Sequence, residues 1–218
     1  MRLTQRLALH LQEWQGKRAG WILLAGVSLG LVVFSHYVLQ VYGYMRPCEQ
    51  CVYIRYAFIV QAFGALIIAL APRSALAFGI GGVCMLYAGV RGIMSAWQLH
   101  RIHTAIHSDE VVFGVRGCSM EARFDFGLPL DRWLPEWFAP SGDCGFDAPI
   151  IPSGVVLSGV QKAFVELYAN GWYLLPRWEI GTMAQCCLLV FGVCVAIMVA
   201  CVWFRLWRSV VKPRILVF

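Results

Sequence analysis

Four apolar runs, roughly 20–44, 52–70, 75–98 and 180–204, are each long enough to cross a hydrocarbon core of about 30 Å, which takes about 20 helical residues. A backbone in lipid must satisfy its own hydrogen bonds, and a helix does so without help, so runs of this length specify spanning helices. Composition agrees: of 218 residues 60% are apolar and 14% charged, too little polar surface to cover a soluble globule. The expected fold is an all-α membrane protein, a four-transmembrane-helix bundle formed by residues 1–218 as a single domain. The first run, about 25 residues, exceeds the 7–15 of a signal-peptide core and ends without a small-x-small cleavage site, so it is expected to remain as an uncleaved anchor.

Orientation follows from the cations, because Lys and Arg in short flanking segments resist export while acidic residues matter little. Arg2, Arg6, Lys17 and Arg18 precede the first run, Arg73 lies between the second and third, and Arg205, Arg208, Lys212 and Arg214 end the fourth. These ends, and with them both termini, are expected in the cytoplasm. A short loop, about 45–51, and a long one, about 99–179, are then exported. The long loop holds ten of the twelve acidic residues, so the net charge of +6 is a topology signal and gives no support for nucleic-acid binding. Pro72 with Arg73 and Ser74 marks a tight inner turn between antiparallel spans. Within the long loop, Leu130 to Phe138 reads as a short helix with Trp133, Trp137 and Phe138 at helical spacing, suited either to the membrane interface or to packing on the bundle. Val156 to Tyr168 reads as a second, amphipathic helix.

The nine cysteines divide by place. Cys84, Cys186, Cys187, Cys194 and Cys201 fall within the spans, where a thiol behaves as a small apolar group; the adjacent Cys186 and Cys187 lie nearest the outer surface. Cys48, Cys51, Cys118 and Cys144 all lie on the exported side, where oxidising conditions favour disulfides. Four cysteines allow three connectivities; Cys48 with Cys51 and Cys118 with Cys144 is the simplest. A 118–144 bridge closing about 27 residues would stabilise the fold by about 3.5 kcal/mol, a ring of about four residues by only about 2 kcal/mol before strain is subtracted. Stapling therefore accounts poorly for the C-x-x-C.

Redox chemistry accounts for it better. Cys51 stands where the second span begins, and a helix N-terminus presents unsatisfied N–H groups that stabilise a thiolate. Arg55, four residues on, shares its helix face and would lower the thiol pKa further. An arginine within hydrocarbon costs roughly 2.5–3.5 kcal/mol at the centre and less near the rim, so it calls for a reason. Snorkelling to the headgroups is the alternative. Arg91, a second cation within a span, is placed either to line the pocket of Arg55 or to pair with Glu49. His100, His103 and His107 share one face if the third helix continues outward; solvated surface histidines are the simpler reading than metal ligands.

These residues together resemble the DsbB family of bacterial inner-membrane thiol oxidases. The resemblance is carried by Pro47-Cys48-x-x-Cys51 opening the second helix, Arg55 four residues later, Leu86-Tyr87 with Arg91-Gly92 in the third, and "LPLDRW" followed by "SGDC" ending at Cys144. Within the family the chain is most similar to the DsbI branch, which serves a thioredoxin-like partner, DsbL. The grounds are "PCEQCVYIRYA", "HRIHTAIHSDEVVFGVRGC" before Cys118 and the stretch from "CGFDAPIIPSGV" to "GWYLLPRW" after Cys144. The family's quinone-linked histidine has no position in register here; His100 is nearest, and no role is carried to it.

The resemblance implies an enzyme, a quinone-dependent thiol:disulfide oxidoreductase in the bacterial inner membrane. Its exported cysteines would face the periplasm, and its partner would be a periplasmic dithiol oxidase of the DsbA or DsbL type. Electrons would pass from the partner to Cys118–Cys144, then to Cys48–Cys51 through a transient Cys48–Cys144 bridge, and from Cys51 to ubiquinone or menaquinone in the lipid bilayer, with Arg55 at the quinone. No metal is implied. Two rivals stand beside it. A vitamin K epoxide reductase-like enzyme fits less well, because its C-x-x-C lies late in the bundle. A non-catalytic scaffold using the four cysteines for zinc or as disulfide staples lacks the short spacing of zinc knuckles in its second pair.

Overall fold

The computed structural model describes residue 13 and residues 15–107 and 117–211, with side chains to Leu206. Arg2, Arg6, Lys212, Arg214, Asp109 and Glu110, with the side chain of Arg208, lie outside the described residues. Four helices are long and apolar enough to cross a membrane. They are α1 (Arg18–Phe34), continuing as a π-helical stretch over Ser35–Tyr42, α2 (Glu49–Leu70), α3 (Ala75–His107) and α7 (Met183–Val211). Between α3 and α7 come two single-turn helices, α4 (Leu130–Trp133) and α5 (Pro135–Phe138), then α6 (Gly159–Leu167) and an antiparallel hairpin of β1 (Tyr173–Leu175) and β2 (Ile180–Thr182). The chain is a multi-pass helical membrane protein.

The bundle is built around α2, which packs against both α1 and α3, while α7 packs against α3. Most of α2 is buried, whereas α1 and α7 expose leucines and valines along their outer faces, as lipid-facing helices do. In lipid, packing replaces hydrophobic drive, and small residues let helices approach closely. Gly81 shows this: a Cβ there would lie 2.5 Å from the carbonyl oxygen of Gly64 on α2, so only hydrogen fits. Gly92 likewise faces the Phe191 ring of α7, which stacks on Phe58 of α2 at 4.4 Å. Burial on every side lets α2 carry polar groups. Gln61 donates to Ser28 Oγ of α1 at 3.1 Å and to Cys194 Sγ of α7 at 3.5 Å, tying three helices together.

Several boundaries differ from the sequence expectation. The second helix begins at Glu49, earlier than 52, because Cys48 caps it: its Sγ accepts the Cys51 N–H at 3.2 Å. Cys51 therefore lies inside the first turn, and Cys48 holds the cap position that the sequence suggested for its partner. The third helix runs on to His107, well beyond 98, and His103 stacks on His107 with ring centroids 4.1 Å apart. The fourth begins at Met183 because residues 180–182 pair with β1 instead. The helix expected at Leu130 to Phe138 breaks at Leu134 (φ −137°, ψ 69°), since Pro135 disfavours the α conformation in the residue before it. Trp133 on α4 is exposed, while Trp137 and Phe138 on α5 pack on the bundle.

At one end of the bundle Lys17, Pro72, Arg73 and Arg205 border a common crevice, where Arg205 donates to the Pro72 carbonyl at 2.6 Å and lies 3.7 Å over the Phe78 ring. The cysteine pairs occupy the opposite end.

Candidate redox site

Two disulfides meet where α2 begins. Cys48 is bonded to Cys51 and Cys118 to Cys144, with Cα separations of 5.0 and 5.7 Å. The sulfurs of Cys48, Cys118 and Cys144 all lie within 4.8 Å of one another. Cys48 and Cys144 are buried, Cys51 and Cys118 half-buried. Three sulfurs this close could hold a metal as thiolates, but disulfide sulfur carries no such charge, and the geometry suits exchange between the pairs.

Each loop cysteine is brought in by its own anchor. The Pro47 carbonyl accepts the N–H groups of Ser141 and Gly142 at 2.9 and 3.1 Å, which seats the strand before Cys144 against the C-x-x-C. Glycine is required at 142, where a Cβ would stand 2.6 Å from the Arg46 carbonyl oxygen, and at 145, whose φ of +86° is left-handed and which lies against Ile106. On the other side, Glu49 accepts the Ser119 N–H at 2.7 Å and the Tyr53 hydroxyl at 3.0 Å; that hydroxyl in turn accepts the Arg123 N–H at 2.8 Å. The same segment is gripped from α3, where Arg91 pairs with Asp125 at 2.6 Å and the Tyr87 hydroxyl donates to that carboxylate. Arg91 thus neither lines the pocket of Arg55 nor pairs with Glu49; it shares a polar crevice with Glu49 and fastens the loop. Glu49→Ala is expected to weaken this docking by about 1 kcal/mol and slow exchange between the two cysteine pairs roughly fivefold, measured by quenched alkylation after one pair is reduced.

Cys51 faces the other way. With Arg55 it lines a cavity of about 170 Å³ whose walls are mainly apolar, among them Val32, Phe34 and Leu39 from the first span, Ile54 and Phe58 from α2, and Met183 and Val190 from α7. Arg55 is 6% exposed and does not snorkel. It donates to Gln40 Oε1 at 2.8 Å, to the Trp137 carbonyl at 3.0 Å and to the Ser35 carbonyl at 3.3 Å. All three partners are neutral, so none of these hydrogen bonds cancels the guanidinium charge. Gln40 and Ser35 belong to the π-helical stretch, and Trp137 stacks on His36 with centroids 4.0 Å apart. A π segment is often found at functional sites, because its wider turn redirects carbonyls and side chains.

The sequence reading missed Gln40 and the winding that aims it. The signal available was Ser35, His36 and Gln40, three polar residues near the outer end of an apolar span. It also passed over Asp147, on the same cavity wall; Cys186 and Cys187, which the sequence placed nearest the outer surface, line that wall too.

The profile of the family described as "Disulfide bond formation protein DsbB" matches residues 17–201. The chain belongs to the DsbB family. Among curated DsbB-family relatives, a "Protein-disulfide oxidoreductase DsbI" of Salmonella typhimurium is 47% identical over 192 residues, 86% of this chain and 85% of the relative. A protein of the same name from Escherichia coli O1:K1 / APEC is 46% identical over 193 residues, 87% of this chain and 86% of the relative. Membership in the DsbB family makes this chain a membrane enzyme of the disulfide-forming oxidoreductase class.

Proposed function

We propose that the chain, acting as a single unit in the bacterial inner membrane, reoxidises a periplasmic thioredoxin-like dithiol oxidase of the DsbA or DsbL type and delivers the electrons to ubiquinone or menaquinone. One observation carries this reading: the Cys48–Cys51 disulfide has one sulfur against the loop pair and the other on an apolar cavity beside a buried arginine. Both termini are assigned to the cytoplasm and the four cysteines to the periplasm. The gathering of Lys17, Arg73 and Arg205 at the end of the bundle away from the cysteines supports that sidedness.

The partner's thiolate attacks Cys118, the half-buried member of the loop pair, and is released oxidised when its second thiol resolves the mixed disulfide. The loop pair is left as two thiols. Cys144 then attacks Cys48 across the sulfur cluster, which frees Cys51 as the leaving thiolate, next to a fixed positive charge. Cys118 closes the loop disulfide again and leaves the C-x-x-C as a dithiol. A quinone, when bound, accepts two electrons and two protons. The cavity fits such a ring: apolar walls suit its body, and Arg55, hydrogen-bonded only to neutral groups, has charge to offer a carbonyl oxygen that becomes negative.

The test mixes detergent-purified protein with reduced thioredoxin-like partner and quinone and follows quinone absorbance. Loss of absorbance matched mole for mole by partner disulfide is expected. Partner oxidation without that loss would refute the quinone assignment.

A further inference from the structure

Closing the Cys48–Cys51 bond releases two electrons, and a quinone that accepts them also takes up two protons, which a group on the cavity wall can deliver. The charged and titratable side chains on the cavity wall are Arg46, Arg55, Cys51, Cys186, Cys187 and Asp147. An arginine does not release its proton, and a thiol is a far weaker acid than a carboxyl group. Asp147 is the one carboxyl group on this wall among the described residues.

Its place is fixed by the backbone. Three residues earlier Cys144 is tied to Cys118, and three residues later the Ile150 N–H donates to the Tyr44 carbonyl at 3.0 Å. Gly145 between them lies against the outer turn of α3, where a Cβ would meet Ile106 at 2.6 Å. Asp147 lies near His107 of α3, Tyr173 of β1 and Cys187 of α7, and it shares the cavity wall with Arg46, Cys51, Arg55 and Cys186.

We propose that Asp147 is the proton carrier of the electron-delivering step: its carboxyl group passes a proton to a quinone oxygen as Cys51, freed as a thiolate, gives up its electrons, and it is reloaded with a proton that the thiol exchange released on the cysteine side before it makes the second transfer. The proposal rests on the quinone reading of the cavity. Over one turnover the partner's dithiol gives up two electrons and two protons, the quinone takes up two of each, and Asp147 ends as it began. Burial raises the Asp147 carboxyl to about 6, against a smaller opposing effect from His107, so both forms are populated near neutral pH, as a carrier requires. Below that pH the group is a loaded donor; above it, an acceptor.

Two readouts test this. In quinol formation, Asp147→Asn is expected to lower turnover about 100-fold with both disulfides still formed, and Asp147→Glu to restore much of it. The second needs no quinone: in a Cys48→Ser background, the alkylation rate of Cys51 against pH should show a step near pH 6, from the appearance of the Asp147 charge. That step should vanish in Asp147→Asn and persist in His107→Gln. Unchanged turnover in Asp147→Asn, or a parent profile without the step, overturns the assignment. A parent that forms no quinol refutes the quinone reading instead, and the alkylation profile still decides for Asp147.

Discussion

Replacing Cys51 by serine is expected to stop quinol formation, by roughly a thousandfold or more, while leaving Cys118 able to capture the partner. The proposed route divides the labour across one disulfide. Cys118 and Cys144 keep their bond, their Pro47 and Glu49 anchors and the access of the half-buried Cys118, so a partner lacking its resolving cysteine should still form a mixed disulfide visible on a non-reducing gel. Electrons that reach the loop then have no acceptor, since Cys48 alone cannot form a disulfide with its neighbour. Quinol production at the parental rate would mean that Cys48 or a loop sulfur reaches the cavity directly, which its lining by Cys51 argues against.

Arg55→Met comes second. Methionine fills much of the same volume but removes the charge and the donors to Gln40, Trp137 and Ser35. Loss of one preorganised donor at a developing negative charge commonly costs about 10²-fold, and we expect a fall of that order in kcat/KM for quinone, with partner capture by Cys118 retained. The kinetic split is informative. A rise in KM alone would assign Arg55 to binding the oxidised ring, a fall in kcat to the charge that builds up during reduction. Arg55→Lys keeps the charge but not the fork that reaches three acceptors at once, so it should fall between the two. Parental kinetics in Arg55→Met would leave the residue as a structural clamp joining the first span to α5.

Much of this was legible in the sequence, for identifiable reasons. The spans announce themselves because lipid demands long apolar helices, and C-x-x-C at the start of one, with Arg55 a turn further on, is a chemically improbable arrangement without a use. The α2 and α3 boundaries were less legible: a capping sulfur and an outward extension past the apolar run depend on what the loop packs against. Apolar periodicity does not distinguish an i+4 ladder from an i+5 ladder in a span that is apolar almost all round, so the π stretch at Ser35–Tyr42 left no mark beyond its polar residues. The role of Arg91 was hidden for a different reason. Its partner, Asp125, is 34 positions away and meets it only because the loop folds back over α3.

The winding of that first span has a consequence for how the enzyme tolerates change. A π turn takes up about one residue more than an α turn, so the same residues wound at the ordinary α pitch of about 100° per residue would carry Gln40 roughly a quarter-turn aside. The guanidinium of Arg55 would then lose a side-chain acceptor although no residue of the sulfur chemistry had altered. Counting residues through this stretch matters as much as identifying them.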